Sequence, residues 1–329
     1  MATGTSATGG HVCPLRIRFL GDSFPEAREI LAGVLAGDDV GTWPAAGPAG
    51  PGGTADVLIP ALGRVDGPVM DAVRPALIQQ FGAGLDGVDL EAAKARRIPV
   101  ANVPGDQTGG AGSVAELAML HLLALSRRFD QARARLRDGL LGEPVSRGLA
   151  GQTATVIGLG AIGREGLIRL RPFGVRLVGV GRRPRAEADA AVVSLIDEYR
   201  PLADLHTALE ATGLLVLCLP LTASTRGLIG AAELDALPPG GIVVNVGRGP
   251  VVDHDALVAA LRSGRLEGAG LDVFWHEPID PADPVLAENV IATPHVGGVT
   301  THAYRATALR FAANVERLRR GEPLENRVV

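Results

Sequence analysis

The sequence predicts an α/β protein with two doubly wound, parallel-sheet domains. Three observations carry this. The 329 residues are long for one domain and comfortable for two. Short apolar runs alternate with helix-like stretches along the whole chain, the pattern of parallel strands joined by helical crossovers. Hydrophobic residues make up 47% and aromatics only 3%. Val, Leu, Ile and Ala must therefore fill the cores, which suits strands buried on both faces.

Taken in order, a strand is expected at 16–20, a helix from about Pro25, and strands at 56–59, 76–81 and 99–103. Residues 41–53 are rich in Gly and Pro and read as a loop. Residues 113–129, SVAELAMLHLLALSRRF, start with Ser, carry Glu three residues later and are almost continuously apolar. That is the pattern of a capping-box helix buried on most sides. Such a helix is expected to cross between domains or to pack on a second subunit. A fresh set of strands begins with TATVI at 153–157 and continues at 176–180, 214–219, 241–246 and 268–273, with a short one ending at Thr293. An amphipathic helix over 300–320 closes the series. There is no repeat of the solenoid kind.

Composition narrows the function classes. The formal charge is -4 with no long run of one sign, so no nucleic-acid partner is expected. Lys94 is the only lysine, so Arg abundance is a compositional bias and position must decide which Arg matters. Cys13 and Cys218 form no CxxC pair or metal-like cluster, so neither a disulfide framework nor a metal site is expected, and a cytoplasmic location fits. The opening MATGTSATGGHVCP lacks the basic and apolar regions of a signal peptide and reads as a disordered tail. No apolar stretch is long enough to span a membrane, so no membrane partner is expected.

One motif points to a dinucleotide. Gly158, Gly160 and Gly163 form GLGAIG directly after the strand TATVI and open a helix expected over 162–173. A GxGxxG alone is weak, but this strand-turn-helix context is the one the physics requires. The first glycine makes the tight turn, the second lets backbone approach a pyrophosphate, and the third lets helix and strand pack closely. The helix N-terminus at Ala161 and Ile162 then faces the phosphate charge. The next strand, RLVGV, should end in an acid if it is to hold the ribose hydroxyls of NAD. It runs instead into Gly181, Arg182, Arg183, Pro184 and Arg185. Arginines standing where a 2'-phosphate needs donors favour NADP(H), with NAD(H) as the alternative.

Three later segments, each just past an apparent strand end, carry candidate chemistry: NVGRG from Asn245, LDVFWHEP from Leu271, and TPHVGG from Thr293. Hydride transfer to a ketone leaves charge on oxygen and calls for a proton donor, for which His is suited. A carboxylate favours the imidazolium, and a guanidinium can clamp a substrate carboxylate with two hydrogen bonds. Arg248, Glu277 and His295 supply these types. Each also has a plain alternative: a structural ion pair for Arg248, a loop acid for Glu277, a helix cap for His295. His276, beside Glu277, competes for the histidine role, and spacing alone does not choose.

These segments resemble the D-isomer-specific 2-hydroxyacid dehydrogenases, from about Arg16 to Arg320. The likeness includes FGAGLDGVD from Phe81, SVAE from Ser113, GLGAIG, LPLTASTRGLIG from Leu219, NVGRG, VVDHDALVAAL from Val251, GAGLDVFWHEP and TPHVGG. The resemblance implies hydride transfer between NAD(P)H and a small 2-keto or 2-hydroxy acid, in the manner of glyoxylate/hydroxypyruvate reductases. It implies Arg248 as substrate binder, His295 as general acid/base and Glu277 as its partner. Asp272 would contact the nicotinamide carboxamide, and Pro220, Val246 and Gly247 would line the cofactor. Backbone at Ala83 and Gly84 would hold the substrate carboxylate. A Rossmann cofactor domain (106–295) would be inserted in a discontinuous flavodoxin-like substrate domain (1–105 plus 296–329), with substrate in the cleft, and the chain would form a homodimer. The pocket that chooses the substrate is expected near 62–64, 81–85 and Trp275. The GRRPR segment looks like that of NADPH-using members, and Glu277, where formate dehydrogenases of this superfamily carry Gln, argues against formate. A dinucleotide-sensing co-repressor on the same scaffold, or a reductase acting on another small oxyanion such as phosphite, are the alternatives.

Overall fold

The computed structural model of the chain describes residues 13–44 and 54–329. The chain divides into two compact units: residues 1–104 with 305–329, and residues 105–304.

The first unit holds a five-stranded sheet of β1 (Arg16–Leu20), β2 (Asp39–Trp43), β3 (Val57–Ile59), β4 (Leu77–Gln79) and β5 (Val100–Ala101). Its order is β2-β1-β3-β4-β5 with every pair parallel, a flavodoxin-like arrangement. The central strands are short and wholly buried, so their apolar runs carry no alternation. The Gly-rich loop expected at 41–53 is corrected in part: Gly41 to Trp43 belong to β2, and 45–53 lie outside the described residues. Only Trp43 of β2 is buried, so the strand shows no apolar pattern; pairing with β1 and the Arg18–Asp39 ion pair define it. The tail expected over the first 14 residues also lies outside the described residues as far as residue 12.

The second unit holds seven strands: β6 (Thr153–Ile157), β7 (Arg176–Gly181), β8 (Glu198–Pro201), β9 (Leu214–Leu217), β10 (Gly241–Asn245), β11 (Leu266–Leu271) and β12 (Val290–Ala292). All pairs are parallel, in the order β12-β11-β10-β9-β6-β7-β8. Alternate residues feed two separate cores. Ile157, Leu215, Leu217 and Val243 join one cluster, and Val156, Leu214, Val216 and Val244 join the other. Helices thus cover both faces, and the strand order reverses between β6 and β9, where ligands bind in such sheets. β8 escapes the sequence reading because only Tyr199 of its four residues is buried.

The apolar helix runs Gly110–Ser126, three residues earlier than its sequence suggests, with Gly109 at its N-cap in the left-handed region. There is no capping box. Ser113 instead donates to the Gly109 carbonyl and bonds the Thr300 hydroxyl, while Glu116 pairs with Arg169. The Gly-Gly-Ala-Gly start is a poor helix former by itself. It is tolerated because small residues permit close packing: a Cβ on Gly112 would stand 3.0 Å from the Arg169 guanidinium. The helix's buried face is spent inside its own unit. The fully buried Leu122, worth about 2 kcal/mol by burial, and Leu125 belong to a sheet core.

The sequence reading ended the inserted domain at His295, whereas the second unit continues to Tyr304. The reason lies in its bonds: Asp272 holds the Val296 and Gly297 amides, and Thr300 bonds Ser113.

Candidate active site

The glycine loop follows β6. Gly158 has φ +94°, and a Cβ there would lie 2.7 Å from the Cys218 carbonyl oxygen; at Gly163 it would lie 2.0 Å from the Gly158 oxygen. These two glycines let loop, helix and β9 touch. Gly160 differs: a Cβ there meets nothing within 4 Å, so backbone rather than side chain borders open space. The helix Ala161–Leu170 starts there with no side-chain cap on its amides. Open amides at a helix N-terminus, beside a position without a side chain, fit a pyrophosphate. A cavity of about 490 Å³ opens beside the same helix start, lined among others by Ser113, Ala161, Arg164, Arg169 and His302. Arg248, Glu277 and His295 do not line it.

At the end of β7, Gly181 occupies the position an acid would need, and Arg182, Arg183 and Arg185 are exposed. The Tyr199 hydroxyl donates to the Arg183 carbonyl.

After β10, the buried Asn245 organises the Arg248 loop: its Nδ2 donates to the Arg248 carbonyl at 2.9 Å and its Oδ1 accepts from the Gly247 amide at 3.1 Å. A Cβ on Gly247 would meet the Leu219 oxygen at 2.5 Å, so this loop lies against the one leading to Pro220. The Pro220 carbonyl in turn accepts from Thr225 at 2.7 Å. The Arg248 guanidinium donates to the Gly247 carbonyl at 2.7 Å. A Cβ on Gly249 would sit 2.1 Å from the Phe274 carbonyl carbon, which brings the Arg248 loop onto the one bearing Glu277.

That second loop follows β11. Glu277 is mostly buried and uses both oxygens: Oε1 accepts from the Phe274 amide at 2.9 Å, and Oε2 lies 2.6 Å from His295 Nδ1. Burial pushes its carboxyl up. The His295 bond and charge, the Phe274 amide and the positive Arg248 outweigh burial and hold it below the ordinary carboxylate value. Glu277 therefore reaches a residue 18 positions away, while its neighbour His276 is exposed.

His295 follows β12 with φ +54°, a left-handed conformation that costs a non-glycine residue of order 1 kcal/mol. Asp272 holds the turn: Oδ1 accepts from the Val296 amide at 2.8 Å and from Thr293 Oγ1 at 2.7 Å, and Oδ2 accepts from the Gly297 amide at 2.8 Å. Burial raises the Asp272 carboxyl above its ordinary value, although these three bonds and the His295 charge oppose it.

Sequence reasoning missed one member of this network. His121, fully buried on the apolar helix, places Nε2 3.3 Å from Thr293 Oγ1, and burial depresses its pKa to about 4. Among the described residues its Nδ1 has no hydrogen-bond partner. A Cβ on Gly270 would lie 2.6 Å from that of His121, so the glycine in β11 makes the approach possible. A His inside an apolar run gives no signal of this kind.

In the first unit, Ala83 and Gly84 lie beyond the end of β4. Asn102 Nδ2 donates to the Ala83 carbonyl at 2.8 Å and Gln80 Nε2 to the Gly84 carbonyl at 2.9 Å. Both carbonyls are thus tied back, while neither amide has a partner among the described residues.

Among the described residues no group of three or more His, Cys, Asp or Glu could hold a metal ion, and no helix is long and apolar enough to cross a membrane.

Comparison with known proteins places this arrangement. Residues 119–297 match the model of the D-isomer specific 2-hydroxyacid dehydrogenase, NAD binding domain. The chain is 36% identical over 281 residues to a glyoxylate reductase of Thermococcus gammatolerans, covering 81% of this chain and 80% of that one. It is 35% identical over 277 residues to the D-3-phosphoglycerate dehydrogenase of Methanocaldococcus jannaschii, covering 83% of this chain but only 51% of that longer one. Among solved structures, an NADPH-dependent glyoxylate/hydroxypyruvate reductase of Sinorhizobium meliloti, in complex with NADP and malonate, is 33% identical with a TM-score of 0.80. That match covers 96% of this chain and 97% of the other. The chain belongs to the D-isomer-specific 2-hydroxyacid dehydrogenase family of NAD(P)-dependent oxidoreductases.

Proposed function

We propose that the chain reduces a small 2-keto acid of the glyoxylate or hydroxypyruvate class, with NADPH as its preferred cofactor. The observation that carries this is the 2.6 Å contact between His295 Nδ1 and Glu277, on loops that also bring Arg248 close. The glyoxylate and hydroxypyruvate reductases among its relatives support the substrate class.

A bound nicotinamide dinucleotide supplies the hydride. The chain's own residues do the rest. Glu277, ionised and fixed by the Phe274 amide, holds the imidazolium of His295 through Nδ1 and directs Nε2 to the keto oxygen, which takes the proton. Arg248 forks onto the substrate carboxylate and polarises the carbonyl. The unpartnered amides of Ala83 and Gly84 are the backbone donors for that carboxylate. Asp272 holds the His295 turn and meets the carboxamide. The Gly158–Gly163 loop with Ala161 and Ile162 takes the pyrophosphate, Pro220, Val246 and Gly247 line the cofactor, and Arg182 and Arg183 take the 2'-phosphate.

The proposal includes a homodimer. The segment after the apolar helix exposes Phe129, Leu136, Leu140, Leu141 and Val145, with Leu141 90% and Val145 86% accessible. Exposed apolar side chains so close in sequence mark an association surface.

The test is NADPH oxidation by the purified protein with glyoxylate, hydroxypyruvate and pyruvate. Turnover of at least one is expected. Tight NADPH binding with no turnover of any would overturn the enzyme reading in favour of a dinucleotide-sensing role.

A further inference from the structure

We propose that Tyr199 is a positioning residue that keeps this chain on the phosphorylated dinucleotide, by filling the volume a side chain at position 181 would need and by holding the arginine turn through the Arg183 carbonyl. The inference rests on the reading of NADP(H) as cofactor and assigns its structural cause.

Tyr199 lies on β8, the edge strand beside β7, opposite Gly179 in register. It is 8% exposed and belongs to the core cluster under the sheet. Its hydroxyl emerges at the end of β7, where it donates to the Arg183 carbonyl. Burial and the charge of Glu187 push the phenol above its ordinary value, so it remains a donor at neutral pH. A Cβ built on Gly181 would stand 2.4 Å from that hydroxyl oxygen and 3.1 and 3.3 Å from two ring carbons. No side chain enters position 181 unless Tyr199 moves, and moving it releases the Arg183 carbonyl.

Position 181 is where a carboxylate would accept the ribose hydroxyls of the unphosphorylated cofactor and repel a 2'-phosphate. Here the tyrosine excludes that carboxylate and fixes the turn carrying Arg182, Arg183 and Arg185. One hydroxyl therefore serves both sides of the choice. A single Gly181→Asp substitution adds the acid but collides with Tyr199.

The test is a double-mutant cycle of wild type, Tyr199→Phe, Gly181→Asp and the double variant. It is read as the Kd of NADPH and of NADH by titration calorimetry, together with Tm. Tyr199→Phe should weaken NADPH about 3- to 10-fold, the value of one neutral hydrogen bond, and leave NADH within about twofold. A purely structural role would weaken both alike. Gly181→Asp should lower Tm and impair both cofactors. The double variant should recover part of the Tm, because the ring carbons need to give only a few tenths of an ångström, and should bind NADH more tightly than wild type. A Gly181→Asp protein as stable as wild type, or Tm changes that simply add, would overturn the steric coupling. A wild type that binds NADH more tightly than NADPH would overturn the cofactor reading and the phosphate role of Tyr199 with it, while the Tm cycle still reads the steric claim separately.

Discussion

Two histidines in the second unit each touch a carboxylate, and their difference shows what a candidate site needs beyond such a pair. His254 lies between two acids, with Nδ1 2.8 Å from Asp255 and Nε2 2.9 Å from Asp283. Burial lowers its pKa, but the Asp283 and Asp255 bonds outweigh this and leave it raised above the ordinary value. Both ring nitrogens are committed, and the ring stands edge-on to Trp275 at 4.6 Å, so His254 fastens that loop to the helix His254–Arg262. His295 meets the Glu277 carboxylate through Nδ1, and that carboxylate is anchored by a backbone amide. It is also held in a left-handed turn by the Asp272 bonds to the next two amides. A bare His–acid contact is common. A His on a strained turn, facing a carboxylate fixed from behind, is a geometry the fold maintains at a cost.

The sharpest way to break this contrast is to delete each ring. His295→Ala should lower kcat about 10²- to 10⁴-fold with NADPH affinity nearly unchanged, the usual contribution of a general acid. His254→Ala should leave kcat within about threefold and lower Tm instead. The loss should be present below about pH 6.5 and fade as pH rises through the raised folded pKa of His254, since only the imidazolium gains from the two aspartates. Comparable kcat losses in both variants would erase the distinction.

A third histidine extends the comparison. His121 bonds Thr293, and burial depresses its folded pKa to about 4 from an ordinary 6.5. The unfolded chain takes up that proton first, so stability is lost as pH falls from about 6.5 to 4, by about 3 kcal/mol. His121→Leu should remove that share. Denaturant midpoints at pH 7 and pH 4.5 should lie closer together in the variant than in wild type. An unchanged gap would mean that His121 does not titrate on unfolding. Since Thr293 also holds Asp272, NADPH affinity measured in the same variant shows whether the network reaches the cofactor site.

The smallest expected effect belongs to the partner of the ring. Glu277→Gln keeps the shape and removes the charge that holds His295. Keto-acid reduction should then lose kcat by about tenfold, less than in His295→Ala, with NADPH affinity nearly unchanged. An unchanged kcat would separate Glu277 from the proton transfer despite the 2.6 Å contact.

Much of the fold was legible because its signals are local. TATVI followed by GLGAIG announces a strand, a turn and a helix within a dozen residues, and the glycines are explained by contacts of that same unit. Edge strands were harder. β2 and β8 each bury a single side chain, so neither shows an apolar run. The start of the apolar helix was misread for a related reason: Ser113 and Glu116 have capping-box spacing, but Thr300 and Arg169, far along the chain, take their side chains.

The sequence by itself determined the α/β class, the glycine loop, and the presence of Arg, Glu and His just beyond strand ends. Each follows from composition, periodicity or a short motif, which are properties of neighbouring residues. Only the tertiary structure decided that His121 joins the network through Thr293 and that Tyr199 stands against Gly181, and it brings His295, not the neighbouring His276, to Glu277, a choice that spacing alone left open. Those are contacts between separate elements packed on or within one parallel sheet, set by strand order and register. A chain read in one dimension carries no record of which strand ends become neighbours.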